Sequence, residues 1–121
     1  MKHILERIIQ LAEARNIEEE EISRKYDPNG LGISITNFDY MNEARPKGKE
    51  LDDYLASLPQ ETLEYVAAVM YGGRSFFVDG EEIHLEELIA DMKGDEHLED
   101  VIGEKTPLPE YLRTGMKLYK I

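Results

Sequence analysis

Near the start of the chain apolar residues recur every three or four positions: Ile4, Leu5, Ile8, Ile9, Leu11 and Ala12. This is the period of one helix face, so residues 3–15 read as an amphipathic helix with Glu6, Arg7, Glu13 and Arg15 on much of the other face. The acidic run Glu18 to Glu21 either continues that helix or opens a new one, with its acids at the positive end of the helix dipole. The pattern then fails over 26–50. Asp27-Pro28-Asn29-Gly30 is a turn sequence, because proline sets one φ and Asn-Gly tolerates positive φ. The β-branched Ile33, Ile35 and Thr36 allow a short strand over 33–36, and Phe38, Tyr40 and Met41 are candidates to dock on the core. Arg45-Pro46-Lys47-Gly48-Lys49 is a second break, and the main organisational boundary is placed there.

From residue 50 the helical period returns. Leu51, Tyr54, Leu55 and Leu58 mark a short helix. Ser57-Leu58-Pro59-Gln60 matches a capping box for the next one, whose stripe is Leu63, Val66, Ala67 and Met70. Gly72-Gly73 is expected to end that helix. Ser75-Phe76-Phe77-Val78 before Asp79-Gly80 suits one hairpin arm, but Glu81-Glu82-Ile83-His84 does not alternate into a second. A loop with Phe76 or Phe77 buried is preferred. Leu85, Leu88, Ile89 and Met92 then predict a helix over about 83–93, stopped by Gly94. Leu98, Val101 and Ile102 predict another over 95–102. Thr106 is expected to cap the last helix, with Pro107 at its first position. Leu108, Tyr111, Leu112, Met116 and Tyr119 give its inner face. The sum is a mainly α fold: one domain over 1–121, a compact bundle of five to seven helices, with at most a short two-stranded β-ribbon near 33–36 and 75–78.

Composition narrows the chemistry. The 121 residues include no cysteine, which removes disulfides, thiol nucleophiles, iron–sulfur clusters and cysteine zinc sites together. A net charge of −12 repels nucleic-acid phosphates and anionic membrane surfaces. No apolar run approaches the roughly 18–20 residues of a spanning helix, and the charged start of the chain lacks a signal peptide's apolar stretch. A cytoplasmic location is expected. The charge is also uneven. Residues 1–60 carry 8 basic and 12 acidic side chains, whereas 61–121 carry 6 and 14. The window 79–104 alone holds eleven acids against Lys93. That window reads either as a solubilising face or as a docking face for a basic protein partner. The candidate contact residues are Glu86, Glu87, Asp91, Glu96, Glu99 and Asp100.

Catalytic patterns are sparse. His84 and Glu87 are spaced i, i+3, with Asp91 one turn further, so on one helix face they resemble part of a metal site. The ligand set is incomplete, and no cofactor is expected. His97 sits among acids with the same weakness. Asp27-Pro28-Asn29-Gly30 lacks the spacing of a calcium loop. Ser34, Ser57 and Ser75 have no identifiable histidine base. A protein-interaction module is therefore the first reading. The alternative is a small metal- or anion-binding hydrolase-like enzyme using His84, Glu87 and Asp91.

Two segments stand out as a set. Glu64 to Arg74 contains Ala68, Met70, Tyr71, Gly73 and Arg74 in an Ala-x-Met-aromatic-x-Gly-Arg pattern. Thr106 to Leu118 contains Pro107, Leu108, Tyr111, Leu112, Gly115 and Met116 in a Pro-Leu-x-x-Tyr-Leu-x-x-Gly-hydrophobic pattern. Together they resemble a bacterial family known as domain of unknown function 3775, over about residues 51–119. Tyr71 stands where that family is expected to hold tryptophan. The resemblance implies a small helical domain and no activity. Arg74, just past the expected helix end, is either a tie to a carboxylate or exposed carbonyls, or an anchor for an anionic ligand beside Tyr71 and Tyr111. The two motifs are expected to meet in space.

Overall fold

The first helix, α1, spans Lys2–Tyr26 in the computed structural model, which describes residues 1–33 and 37–121. The acidic run thus continues the helix. Its residues are good helix formers, and the buried Ile22 extends the apolar stripe past Ala12. Arg24 and Lys25 complement the C-terminal carbonyls, and Pro28 prevents continuation. Asp27 closes the turn, its carboxylate accepting from the N–H groups of Leu31 (2.8 Å) and Gly32 (2.9 Å).

Six more helices follow among the described residues: α2 (Phe38–Met41), α3 (Pro46–Ala56), α4 (Gln60–Asp79), α5 (Leu85–Met92), α6 (Leu98–Glu104) and α7 (Leu108–Leu118). The chain is an all-helical bundle, with no strand among the described residues. The strand expected over 33–36 lies, beyond Ile33, outside the described residues, and its expected partner 75–78 is helical. Phe38 and Met41 do not dock on the core but stand 70% and 57% exposed. The single turn of α2 is held instead through Tyr40, whose ring meets Tyr26 edge-on at 5.7 Å under the Arg45 guanidinium.

The expected boundary at 45–49 is the start of α3. Pro46 opens the helix, where its missing N–H leaves nothing unsatisfied. The N–H groups of Lys47 and Gly48 donate to the Glu18 carboxylate of α1 at 3.0 and 3.1 Å, so the two helices are stitched rather than separated. Ser57 caps no following helix. It is still in αR conformation at the end of α3, with its hydroxyl donating to Tyr54 O (2.6 Å), and extended Pro59 precedes α4. Thr106 likewise does not cap α7. Pro107 is the N-cap, and the Thr106 carbonyl accepts from Asn16 Nδ2 (2.9 Å).

Gly72-Gly73 does not end α4; both glycines are buried in mid-helix. A Cβ on Gly73 would overlap Tyr111 O of α7 and lie 2.8 Å from the Gly115 nitrogen. A Cβ on Gly115 would overlap Val69 O, and one on Gly72 would overlap the Tyr119 hydroxyl. The glycines therefore let two backbones touch, which outweighs their poor helix propensity. The two sequence motifs do meet, face to face, along this crossing. The real stop is Gly80 at φ +66. Residues 75–78 are consequently the last turns of α4, and Phe76 and Phe77 are exposed rather than buried.

One cluster forms the core: Leu5 and Ile8 of α1, Leu51 and Leu55 of α3, Val66 and Met70 of α4, Leu98 and Ile102 of α6, and Leu108 and Leu112 of α7. Met70 is fully buried. Met70→Ala is expected to destabilise by about 2–5 kcal/mol in urea unfolding. Gly73→Ala is expected to reach or exceed the upper end of the roughly 1–3 kcal/mol typical of overpacking, because the obstacle is backbone. Loss of less than about 0.5 kcal/mol from either would place the helix faces wrongly.

A pH effect follows at α2. The Glu43 carboxyl lies below the usual carboxylate range, because the Tyr26 hydroxyl (2.6 Å) and then the Lys25 ammonium (2.9 Å) bond to its ionised form. Depressed on folding, it contributes stability above its unfolded pKa that is lost as pH falls through the folded value. Tyr26→Phe is expected to raise the Glu43 pKa followed by NMR titration; an unchanged value would remove Tyr26 from the cause.

Candidate interaction surface

The acidic window occupies the end of α4, the connector 80–84, α5, and α6. Apolar residues fasten each piece from beneath. Leu88 of α5 is buried, Leu85 and Met92 are partly buried against the core, and Leu98 and Ile102 bury the inner side of α6. Polar ties fix the joints. The buried Glu64 carboxylate accepts from the Gly94 N–H (3.0 Å) and from Gln60 Nε2 (3.1 Å). Gln60 Nε2 also donates to Asp95 O (2.7 Å), so the turn between α5 and α6 is pinned to the start of α4. The Tyr119 hydroxyl donates to Ile83 O (2.7 Å) and pins the connector. Burial, then Glu82, lifts that phenol above its ordinary pKa.

With the apolar side held down, the acids face water. All eleven are exposed, including Glu86, Glu87, Asp91, Glu96, Glu99 and Asp100. Only Glu104 has an ion-pair partner among the described residues, its neighbour Lys105. Over residues 1–60, by contrast, six of the twelve acids form ion pairs among the described residues. Arg45 meets Glu19, Lys25 meets Glu43, Arg7 and Lys47 share Glu50, Lys49 meets Asp53, Arg24 meets Glu20, and Arg113 meets Glu13. Ion pairs are thus more frequent among the acids of residues 1–60 than in the window 79–104.

The anion-site candidates are placed differently from expectation. Arg74 is exposed within α4, not past its end, and makes no ion pair or hydrogen bond among the described residues. Because the helix runs on to Asp79, the exposed carbonyls expected near Arg74 are occupied by the next turn. Tyr71 and Tyr111 are partly buried against the core, and Tyr111 meets the Phe77 ring edge-on at 6.1 Å. His84, Glu87 and Asp91 do not share a helix face, since His84 is the extended N-cap of α5 (φ −63, ψ 133). No group of three or more His, Asp or Glu side chains that could hold a metal occurs among the described residues.

Sequence reasoning missed Arg15. Expected on the outer face of α1, its half-buried guanidinium instead donates to Gly103 O and to Lys105 O (2.7 Å) at the end of α6. Burial lowers its pKa against the opposing pull of Asp52 and Glu19. The bonds are short-range, but their partners lie roughly ninety residues away, so no local pattern announces them. A cleft of about 940 Å³ opens beside Arg15, with Glu19, Glu20, Arg24 and Glu110 along it. The guanidinium is already committed to carbonyls, so the cleft offers no free anion anchor there.

No helix among the described residues is long and apolar enough to cross a membrane. No protein family, curated protein or solved structure matches the chain.

The surface depends on its joints. Glu64→Ala removes the Gly94 acceptor and is expected to destabilise by about 1.5–3 kcal/mol, the range for hydrogen bonds to a charged group. Hydrogen exchange should quicken at the Gly94 amide before the core amides. Unchanged exchange at Gly94 would show that the turn is held without Glu64.

Proposed function

We propose that the protein is an interaction module, acting in the cytoplasm, that docks a basic protein partner on the acidic surface formed by residues 79–104. One observation carries this reading: ten of the eleven acids there lack an ion-pair partner among the described residues, whereas six of the twelve acids over residues 1–60 have one. Paired charges nearly cancel at a distance, whereas unpaired ones project a field into solvent. Such a field accelerates encounter with a cationic patch and is screened over about 8 Å at physiological ionic strength. A face serving solubility alone would repel other copies of the protein but would select no partner.

The test is capture of partners from the native host at low and high salt, using wild-type protein and the triple variant Glu86→Lys, Glu87→Lys, Asp91→Lys. Partners are expected on the wild type at low salt, to weaken as salt rises, and to be lost from the variant. These positions are exposed, so the variant is expected to keep its circular dichroism spectrum. Partners held equally by both proteins would end the acidic-surface reading.

A further inference from the structure

We infer that the exposed tip of α4, formed by Phe76, Phe77 and Val78, is the apolar anchor of this docking surface, and that its occupant is a short basic protein segment bearing a large apolar side chain. The inference rests on the acidic-surface reading and adds the feature that charge alone does not supply.

The three side chains are 40%, 59% and 59% exposed. Successive residues turn by about 100° around a helix, so three in a row fan over about 200°. Their joint exposure, continued by Asp79 and Gly80, leaves much of the last turn open to solvent. It is nevertheless a well-made turn. The Gly80 N–H donates to Phe76 O (2.9 Å) and the Glu81 N–H to Ser75 O (3.2 Å). The Phe77 ring is steadied edge-on by Tyr111. A pre-positioned aromatic knob loses little entropy when it is covered, which is how a few aromatic residues come to dominate an interface.

Charge selects the occupant. Asp79, Glu81, Glu82, Glu86 and Glu87 follow the knob directly, all exposed and without ion pairs among the described residues. A second copy joined by a twofold axis would set these carboxylates against themselves. An anionic membrane would be repelled for the same reason. A lysine- or arginine-flanked apolar segment instead places its cations over the carboxylates while its apolar side chain covers Phe77. Arg74, one turn back on the face of Phe77 and Val78, bounds the basic-preferring region on the other side.

The full-length protein is titrated with three fluorescent probe peptides, read by anisotropy. One peptide alternates lysine pairs with leucine and phenylalanine, one replaces the apolar residues by serine, and one replaces lysine by glutamate. The lysine–apolar peptide is expected to bind about tenfold or more tightly than either other, as one good anchor permits. Phe77→Ser should abolish that advantage and leave the lysine–serine peptide unaffected. Val78→Ser gives the same comparison should Phe77→Ser disturb α7. Equal binding of the lysine–apolar and lysine–serine peptides would overturn the anchor and leave the acidic-surface reading intact. Equal binding of the glutamate peptide would overturn the basic occupant. Failure of both lysine peptides would overturn the anchor and count against the acidic surface itself. A dimer in sedimentation that Phe77→Ser dissolves would reassign the knob to a second copy.

Discussion

The crossing of α4 and α7 is the contact on which the remaining geometry depends. Two helices approach this closely only where no side chain stands between them. Gly73 and Gly115 remove those side chains from opposite sides, so that backbone meets backbone. The approach brings Tyr111 to Phe77 and sets Tyr119 over Gly72, from where its hydroxyl reaches Ile83. The tip of α4 and the connector that starts the acidic surface are therefore both positioned from α7. A crossing wider by one methyl group would release these two polar and aromatic ties together.

Helix ends are handled in a second distinctive way. Apart from α2, no helix among the described residues has a hydrogen-bonding side chain at its own N-cap. Charges from other helices meet some of the resulting demand. Glu18 of α1 satisfies two N–H groups at the start of α3, Arg15 of α1 satisfies carbonyls at the end of α6, and Glu64 of α4 holds the turn after α5. An end satisfied from another helix is satisfied only when that helix is docked, so secondary and tertiary structure reinforce one another.

This arrangement also explains what was legible in the sequence. The apolar stripes place the helices and their buried faces, because helical period follows directly from which residues meet the core; Val66, Met70, Leu98 and Leu112 are examples. Punctuation was less legible. Ser57 and Thr106 look like caps, yet the ends near them are met otherwise. Gly72-Gly73 looks like a stop and Pro46 like a boundary, although one is a packing surface and the other a first turn. Glycine and proline report that something special happens to the backbone without saying whether another backbone is nearby. At the surface, exposure of the acids was legible from charge density. The commitment of Arg15 was not, since its partners lie at the end of a distant helix, and the placements of Arg74 and His84 were not, since they turn on whether α4 runs on past Gly72-Gly73 and on the residue at which α5 begins.

The separation of charge gives salt two opposing actions. Within 79–104, like charges without partners repel one another, and this strain is borne by the apolar inner faces of α5 and α6 and by the ties at Gly94 and Ile83. Salt screens that repulsion and relaxes it. Salt also screens the attraction that a cationic partner would feel. A basic segment seated on the surface would do what salt does for the bundle, but locally and selectively, because it neutralises the carboxylates while covering the apolar tip. The unpaired acids thus cost the isolated fold some stability that a basic segment bound there would return; exposed ion pairs, worth only about 0–1 kcal/mol each, offer no such coupling.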